Sequence, residues 1–223
     1  MKIAFVVTLG GDLVRSSEHV GIGYLSAYLR KYNHNVIVVE IKEQDIHNKE
    51  KYLPLLEEVD FIGFTTTCVT MKNIVSLTRI IKQHMQNVYI SYGGHVATFS
   101  AVELLKKYSE IDFAVLGEGE ITTLELVEAL EKNQELSKVK GIVYRNGDEI
   151  IENEGRPLIK DLDILPFPDR DQFEQHNEKF QYLRISSSHG CLGHCGFCSS
   201  FAGRNQKGPR WRGRTARNVV DEI

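Results

Sequence analysis

The chain has 223 residues, and its 27 lysines and arginines against 30 aspartates and glutamates give a formal net charge of −3. At about 100 to 200 residues per domain, that length allows one full domain and part or all of a second. The slight acidity disfavours general nucleic-acid binding, and 42% apolar with 26% charged residues exclude a disordered or collagenous chain. No segment approaches the roughly 18 consecutive apolar residues of a membrane span. The apolar run in residues 1–7 is too short for an export signal, so the chain reads as cytoplasmic.

Five short runs rich in β-branched or aromatic residues, at 3–7, 36–41, 61–65, 88–92 and 113–116, predict strands covered on both faces. Between them lie apolar stripes at helical spacing: Ile22, Leu25 and Leu29; Ile74, Leu77, Ile81 and Met85; Leu124, Val127 and Leu130. The alternation predicts an α/β domain built on a doubly wound, parallel, five-stranded sheet. In such a sheet ligands collect in the loops after the carboxyl ends of the strands. Those loops carry Gly10 and Gly11, then Thr65, Thr66, Thr67 and Cys68, then Gly93, Gly94 and His95, then Gly117, Glu118, Gly119 and Glu120. Taken singly, each glycine group also suits a plain strand-to-helix turn. None has the spacing of a dinucleotide fingerprint or a P-loop, which argues against nicotinamide and nucleoside triphosphates. Glu118 and Glu120 suit helix capping or a ligand contact, and Cys68 reads as a small buried residue.

The pattern changes near residue 135. Asn146-Gly147-Asp148 between two apolar runs signals a hairpin, and Pro157, Pro166 and Pro168 mark an ordered linker. Residues 181–186 read as a new strand and residues 215–223 as the start of a helix. The expected division is therefore 1–135, 136–180 and 181–223. Residues 204–217 hold Arg204, Lys207, Arg210, Arg212, Arg214 and Arg217 with no acid among them. Local pairing on a solvated loop is the preferred reading of that run, over an anion site.

Three of the four cysteines, Cys191, Cys195 and Cys198, fall within eight residues as CxxxCxxC, among Gly190, Gly193 and Gly196. Without an export signal, such a cluster suits a metal or redox chemistry better than crosslinking. Three thiolates leave one iron of a cubane cluster open to an exogenous ligand, a catalytic arrangement. A zinc site completed by His189 or His194 is the rival, though C-x3-C-x2-C is a less usual zinc spacing.

This loop resembles the cluster loop of radical S-adenosylmethionine (SAM) enzymes, CxxxCxφC, with the aromatic Phe197 at φ. The resemblance implies that Cys191, Cys195 and Cys198 hold a 4Fe-4S cluster and that the methionyl end of SAM chelates its fourth iron. Cleavage of the sulfonium would then yield a 5′-deoxyadenosyl radical. Phe197 would belong to the cofactor-binding set. Relatives often place Arg where this chain has His189.

The N-terminal half resembles the cobalamin-binding Rossmann-like domain that precedes the barrel in one branch of those enzymes. The resemblance rests on residues 21–30 (GIGYLSAYLR), 93–98 (GGHVAT), 117–120 (GEGE) and 161–168 (DLDILPFP). It implies a cobalamin contacted by Gly10, Gly11, Gly93, Gly94, His95, Gly117, Glu118 and Gly119, with Thr65, Thr66 and Thr67 toward its tail. The DxHxxG cobalt-ligand motif of mutases is absent. His19 therefore reads as a helix-start histidine rather than a cobalt ligand.

A full barrel takes about 200 residues or more. Residues 181–223 are thus expected to be its truncated start, completed by a missing C-terminal segment or a separate chain. The expectation is the front of a cobalamin-dependent radical SAM methyltransferase acting on a small molecule. Alternatives are a tetrapyrrole cyclase of the same branch, a non-catalytic cobalamin module with a vestigial cluster loop, or a zinc-bearing α/β domain.

Overall fold

The computed structural model describes residues 1–9, 19–170, 183–193, 195, 198 and 207–223. The elements of the N-terminal part alternate in chain order: β1 (Lys2–Leu9), α1 (Val20–Lys31), β2 (Asn35–Lys42), β3 (Phe61–Thr65), α2 (Met71–His84), β4 (Tyr89–Gly93), α3 (Gly94–Lys107), β5 (Phe113–Val115) and α4 (Glu120–Glu131). A hairpin follows, β6 (Ile142–Asn146) and β7 (Glu149–Glu152), then β8 (Ser188–Gly190), β9 (Trp211–Gly213) and α5 (Ala216–Asp221).

The main sheet has seven strands in the order β2-β1-β3-β4-β5-β6-β7. Its first five are parallel, in register Phe5↔Gly63 between β1 and β3 and Thr65↔Gly93 between β3 and β4. The hairpin, turned at Gly147 with φ +60°, pairs antiparallel to β5 through Ala114↔Val143. It is thus not a separate ribbon: it covers backbone that β5 would otherwise leave unpaired at an edge.

Alternation along β1 explains the two cores. Ile3, Phe5 and Val7 pack with α1, α4 and the linker residues Ile159, Leu162 and Leu165. Ala4 and Val6 face the other way, onto Ile74, Leu77 and Ile81 of α2 and Leu104 and Leu105 of α3. With helices on both faces, the strand order reverses between β1 and β3, and a crevice opens at the carboxyl ends there.

The linker is strapped down rather than loose. Asp169 N donates to Gly23 O at 3.0 Å, and Arg30 Nη1 donates to Asp169 Oδ2 at 2.8 Å. A Cβ on Gly23 would stand 2.6 Å from Asp169 O, so α1 carries glycine where the strap crosses it.

The strand expected at 181–186 lies later. Residues 183–187 are irregular, and β8 begins at Ser188, paired antiparallel with β9 through His189↔Arg212. The register is set by β9, which the sequence pattern of an arginine-rich segment concealed.

Candidate functional site

A cavity of about 330 Å³ opens at the carboxyl ends of the strands, on the face covered by α1 and α4. Its floor is sheet: Phe5, Phe61, Gly63, Thr65, Ser91, Gly93 and Val115. Its walls are the start of α1, with His19, Gly21, Ile22 and Leu25, and the loop Gly117, Glu118 and Gly119 running into Glu120 and Thr123 of α4. Gly63 makes room within the floor, because a Cβ there would lie 2.7 Å from the Phe5 ring. A glycine interrupting an apolar strand marks such a close approach, and it was the signal available in the sequence.

Hydrogen bonds join the loops around the cavity. Thr66, fully buried, donates from Oγ1 to Gly93 O at 2.6 Å and accepts from Ala97 N at 3.0 Å. Thr98 Oγ1 donates to Gly94 O at 2.8 Å and accepts from Gly117 N at 3.1 Å. Gly94 sits at φ +86°, where a Cβ would meet Thr66 O at 2.9 Å, so glycine there serves both the backbone and the close approach.

The expected ligand-contacting residues therefore divide. Thr65, Gly93, Gly94, Gly117, Glu118 and Gly119 line the cavity. Thr66 is spent on holding loops together, Thr67 is exposed and paired with Thr70, and His95 is exposed away from the cavity lining. Gly10, Gly11 and Phe197 lie outside the described residues. Cys68, expected to be buried, is exposed: β3 ends at Thr65, and Cys68 opens the turn that leads into α2.

Glu118 does more than line the cavity. Its Oε1 accepts from Arg212 Nη2 at 2.7 Å and from His189 Nδ1 at 3.2 Å, and its Oε2 accepts from Arg212 Nη1 at 3.0 Å and Ile159 N at 2.8 Å. Burial pushes this carboxyl up, but the hydrogen bonds from His189, Arg212 and Ile159 together with the Arg212 charge hold it down to about 2. His189 is thus a tie between β8 and the cavity loop. Arg212 is buried, and Arg214 likewise turns inward, to Tyr24 Oη at 3.1 Å and to the carboxylate of Glu222. These two arginines of the basic run are interior crosslinks rather than solvated charges.

β8 leads directly into the cysteine loop. Cys191 N donates to Arg210 O at 3.1 Å, and Gly193 N donates to Cys191 Sγ at 3.3 Å. A Cβ on Gly193 would lie 3.5 Å from Cys191 Sγ and 3.9 Å from Cys195 Sγ, so both sulfurs converge over this glycine. Cys191, Cys195 and Cys198 are unbridged, and among the described residues no three metal-ligating side chains already meet at one point. His194 lies outside the described residues.

Two residues of the cavity lining carry a fully enclosed polar atom. His19 Nε2 and Glu120 Oε2 have no hydrogen-bond partner among the described residues. Burial lowers the His19 pKa, partly opposed by Glu40 and assisted by Arg184, and burial raises that of Glu120. The sequence had left His19 as a helix-start residue; the fold makes it part of the wall.

Among the described residues no helix is long and apolar enough to cross a membrane. The chain is similar to an "uncharacterized methyltransferase" of Pyrococcus horikoshii, at 31% identity over 92% of this chain and 44% of that protein. It is also similar to the anaerobic magnesium-protoporphyrin IX monomethyl ester cyclase of Synechocystis, at 34% identity over 73% of this chain and 32% of the cyclase. The chain thus spans less than half the length of these relatives. Among solved structures, the cobalamin-dependent S-adenosylmethionine radical enzyme OxsB, with aqua-cobalamin and S-adenosylmethionine bound, superposes with a TM-score of 0.75 at 24% identity, covering 100% of this chain and 31% of OxsB. Residues 6–127 match the family of the B12 binding domain, a span running from β1 into α4 and carrying nearly the whole cavity wall, so the chain belongs to that family.

Proposed function

We propose that the chain is the front portion of a cobalamin-dependent radical SAM enzyme that transfers a methyl group to a small molecule. The observation that carries this reading is the continuity from cavity to cysteine loop: the loop that walls the cavity grips, through Glu118, the two strands that present Cys191. A corrinoid site and a cluster site on one rigid path suit a reaction that uses both.

The residues present fit both groups. For cobalamin, the cavity is mainly apolar, with glycine backbone in its floor and wall where a bulky group can approach closely. Its volume of about 330 Å³ suits a part of the cofactor, such as its nucleotide tail, rather than the whole of it. For the cluster, the three cysteines supply soft donors, two of them already converging over Gly193, whose N–H donates to Cys191 Sγ. When bound, cobalamin supplies a methyl carried on cobalt, and the cluster supplies the electron that cleaves SAM. The chain's own part would be to hold cobalamin through the cavity lined by the start of α1, the Gly117–Gly119 loop and α4, and to fix the cysteine loop through Glu118.

Residues 1–135 would then be the cobalamin unit, 136–180 its hairpin and linker, and 181–223 the beginning of the barrel. A further segment or chain would complete that barrel. Free thiols in such a loop suit a reducing, cytoplasmic setting. The likeness to the Synechocystis cyclase supports a second reading, ring formation on a tetrapyrrole, with the same two groups at the same two places.

Anaerobic reconstitution with iron and sulfide, followed by hydroxocobalamin titration, tests the proposal. A brown species whose cluster is lost in Cys191→Ala, together with corrinoid retained through desalting, is the expected result. Stoichiometric zinc without colour, or no retained corrinoid, overturns it.

A further inference from the structure

His189 stands where three parts of the chain meet. It belongs to β8, two residues before Cys191, and its register partner is Arg212 of β9. Its Nδ1 donates to Glu118 Oε1 at 3.2 Å, and its ring meets that of Tyr24 edge-on, with 6.4 Å between centroids and 89° between planes. Glu118 lines the cavity from the loop before α4, while Tyr24, buried, lies on α1 between the lining residues Ile22 and Leu25. One side chain of the cysteine strand thus touches elements of both cavity walls.

Those walls also lie against each other, since a Cβ on Gly119 would stand 3.1 Å from Leu25 Cδ2. From His189 the path reaches the sulfur loop through backbone, and Cys191 N is held by Arg210 O at 3.1 Å. A group entering the cavity rests on Gly117, Gly119, Ile22 and Leu25, and so limits the motion of both contacts of His189. A cluster gathering Cys191, Cys195 and Cys198 limits the motion of β8 from the other end. Each event orders what the other needs ordered, which is the condition for positive coupling.

We propose that His189 is a positioning residue that couples the two sites, so that a filled cavity and a loaded cysteine loop each raise the affinity for the other. This deepens the cobalamin and cluster reading and rests on it. The hydrogen bond to Glu118 is the transmitting contact because it is directional, while the Tyr24 ring holds the imidazole in place by packing. Glu118 keeps Arg212 and the Ile159 N–H when His189 is replaced, so the cavity wall stands without it.

The test is anaerobic equilibrium dialysis of hydroxocobalamin against wild type, His189→Asn and His189→Phe, each with the cluster reconstituted and each without iron, alongside thermal melting. Wild type is expected to bind the corrinoid about tenfold more tightly when the cluster is present, a usual size for coupled sites. Asn sets an amide N–H near the place of Nδ1 and should keep that ratio within about threefold. Phe keeps a ring against Tyr24 but has no donor, so its two affinities should agree. A merely structural role would lower both affinities together and leave the ratio intact. Should Phe fail to fold, His189→Ala takes its place. A ratio of one in wild type, a ratio kept without the donor, a ratio lost in Asn, or a donor-less variant that takes up no cluster overturns the role of His189 and leaves the cobalamin and cluster reading standing. Failure of the wild type to bind hydroxocobalamin, or to take up the cluster, overturns both.

Discussion

Glu118 and Arg212, 94 residues apart in sequence, form a two-pronged ion pair with oxygen–nitrogen distances of 2.7 and 3.0 Å. One partner belongs to the loop that walls the cavity and the other to the strand paired with the approach to the cysteine loop. Both side chains are largely buried, so neither charge has water as a substitute.

Removing one partner should therefore cost more than removing both. Glu118→Gln is expected to destabilise the chain by about 3–5 kcal/mol, the usual price of a buried charge left alone. Glu118→Gln combined with Arg212→Met should recover most of that loss. Urea denaturation of the two single variants and the double variant completes the cycle, and additive losses would refute a direct coupling.

Acid should act on the two glutamates with opposite sign. The folded-state pKa of Glu118 is depressed to about 2 from 4.5, so its contribution is complete above 4.5 and is lost as pH falls toward 2. The shift corresponds to roughly 3 kcal/mol across that window. Glu120 is raised, so it carries no pH-linked penalty below 4.5, and stability declines as pH climbs above that value. The charged and titratable groups around the pair include His189 and Arg212 from β8 and β9, His19 just before α1, and Tyr24 and Tyr28 from α1. Melting temperature measured against pH should lose its acid limb in Glu118→Gln and its decline above 4.5 in Glu120→Leu. An unchanged profile in both variants would contradict these assignments.

Gly190 should tolerate no side chain. It sits at φ +85°, and a Cβ would fall 1.8 Å from Arg210 O, where the backbones of β8 and β9 touch. Gly190→Ala is expected to part those strands and displace Cys191, which bonds the same carbonyl. Iron content after anaerobic reconstitution should fall several-fold while far-ultraviolet circular dichroism of the main sheet is kept. Full iron loading would count against this geometry.

Gly94→Ala tests the cavity floor. The added methyl meets Thr66 O at 2.9 Å and Thr65 Oγ1 at 3.0 Å from a left-handed backbone position. A loss of about 2 kcal/mol or more is expected from strain and displacement together. Chemical denaturation and hydroxocobalamin retention should decline together, and retention at wild-type level would show that these loops do not shape the pocket.

The sequence alone determined the parallel strands and their helices, because apolar periodicity is a local property that each segment carries by itself. It also determined the cysteine spacing and the Gly147 turn, both encoded within a few residues. Tertiary structure alone decided the rest. The hairpin joins the sheet because β5 needed a neighbour, and β8 starts at Ser188 because β9 lies opposite it. Glu118 and Glu120 are indistinguishable in the string GEGE. Only folding gives one of them Arg212, His189 and Ile159 and leaves Oε2 of the other buried without a partner among the described residues, since a side chain's charge state depends on neighbours that the chain brings from far away.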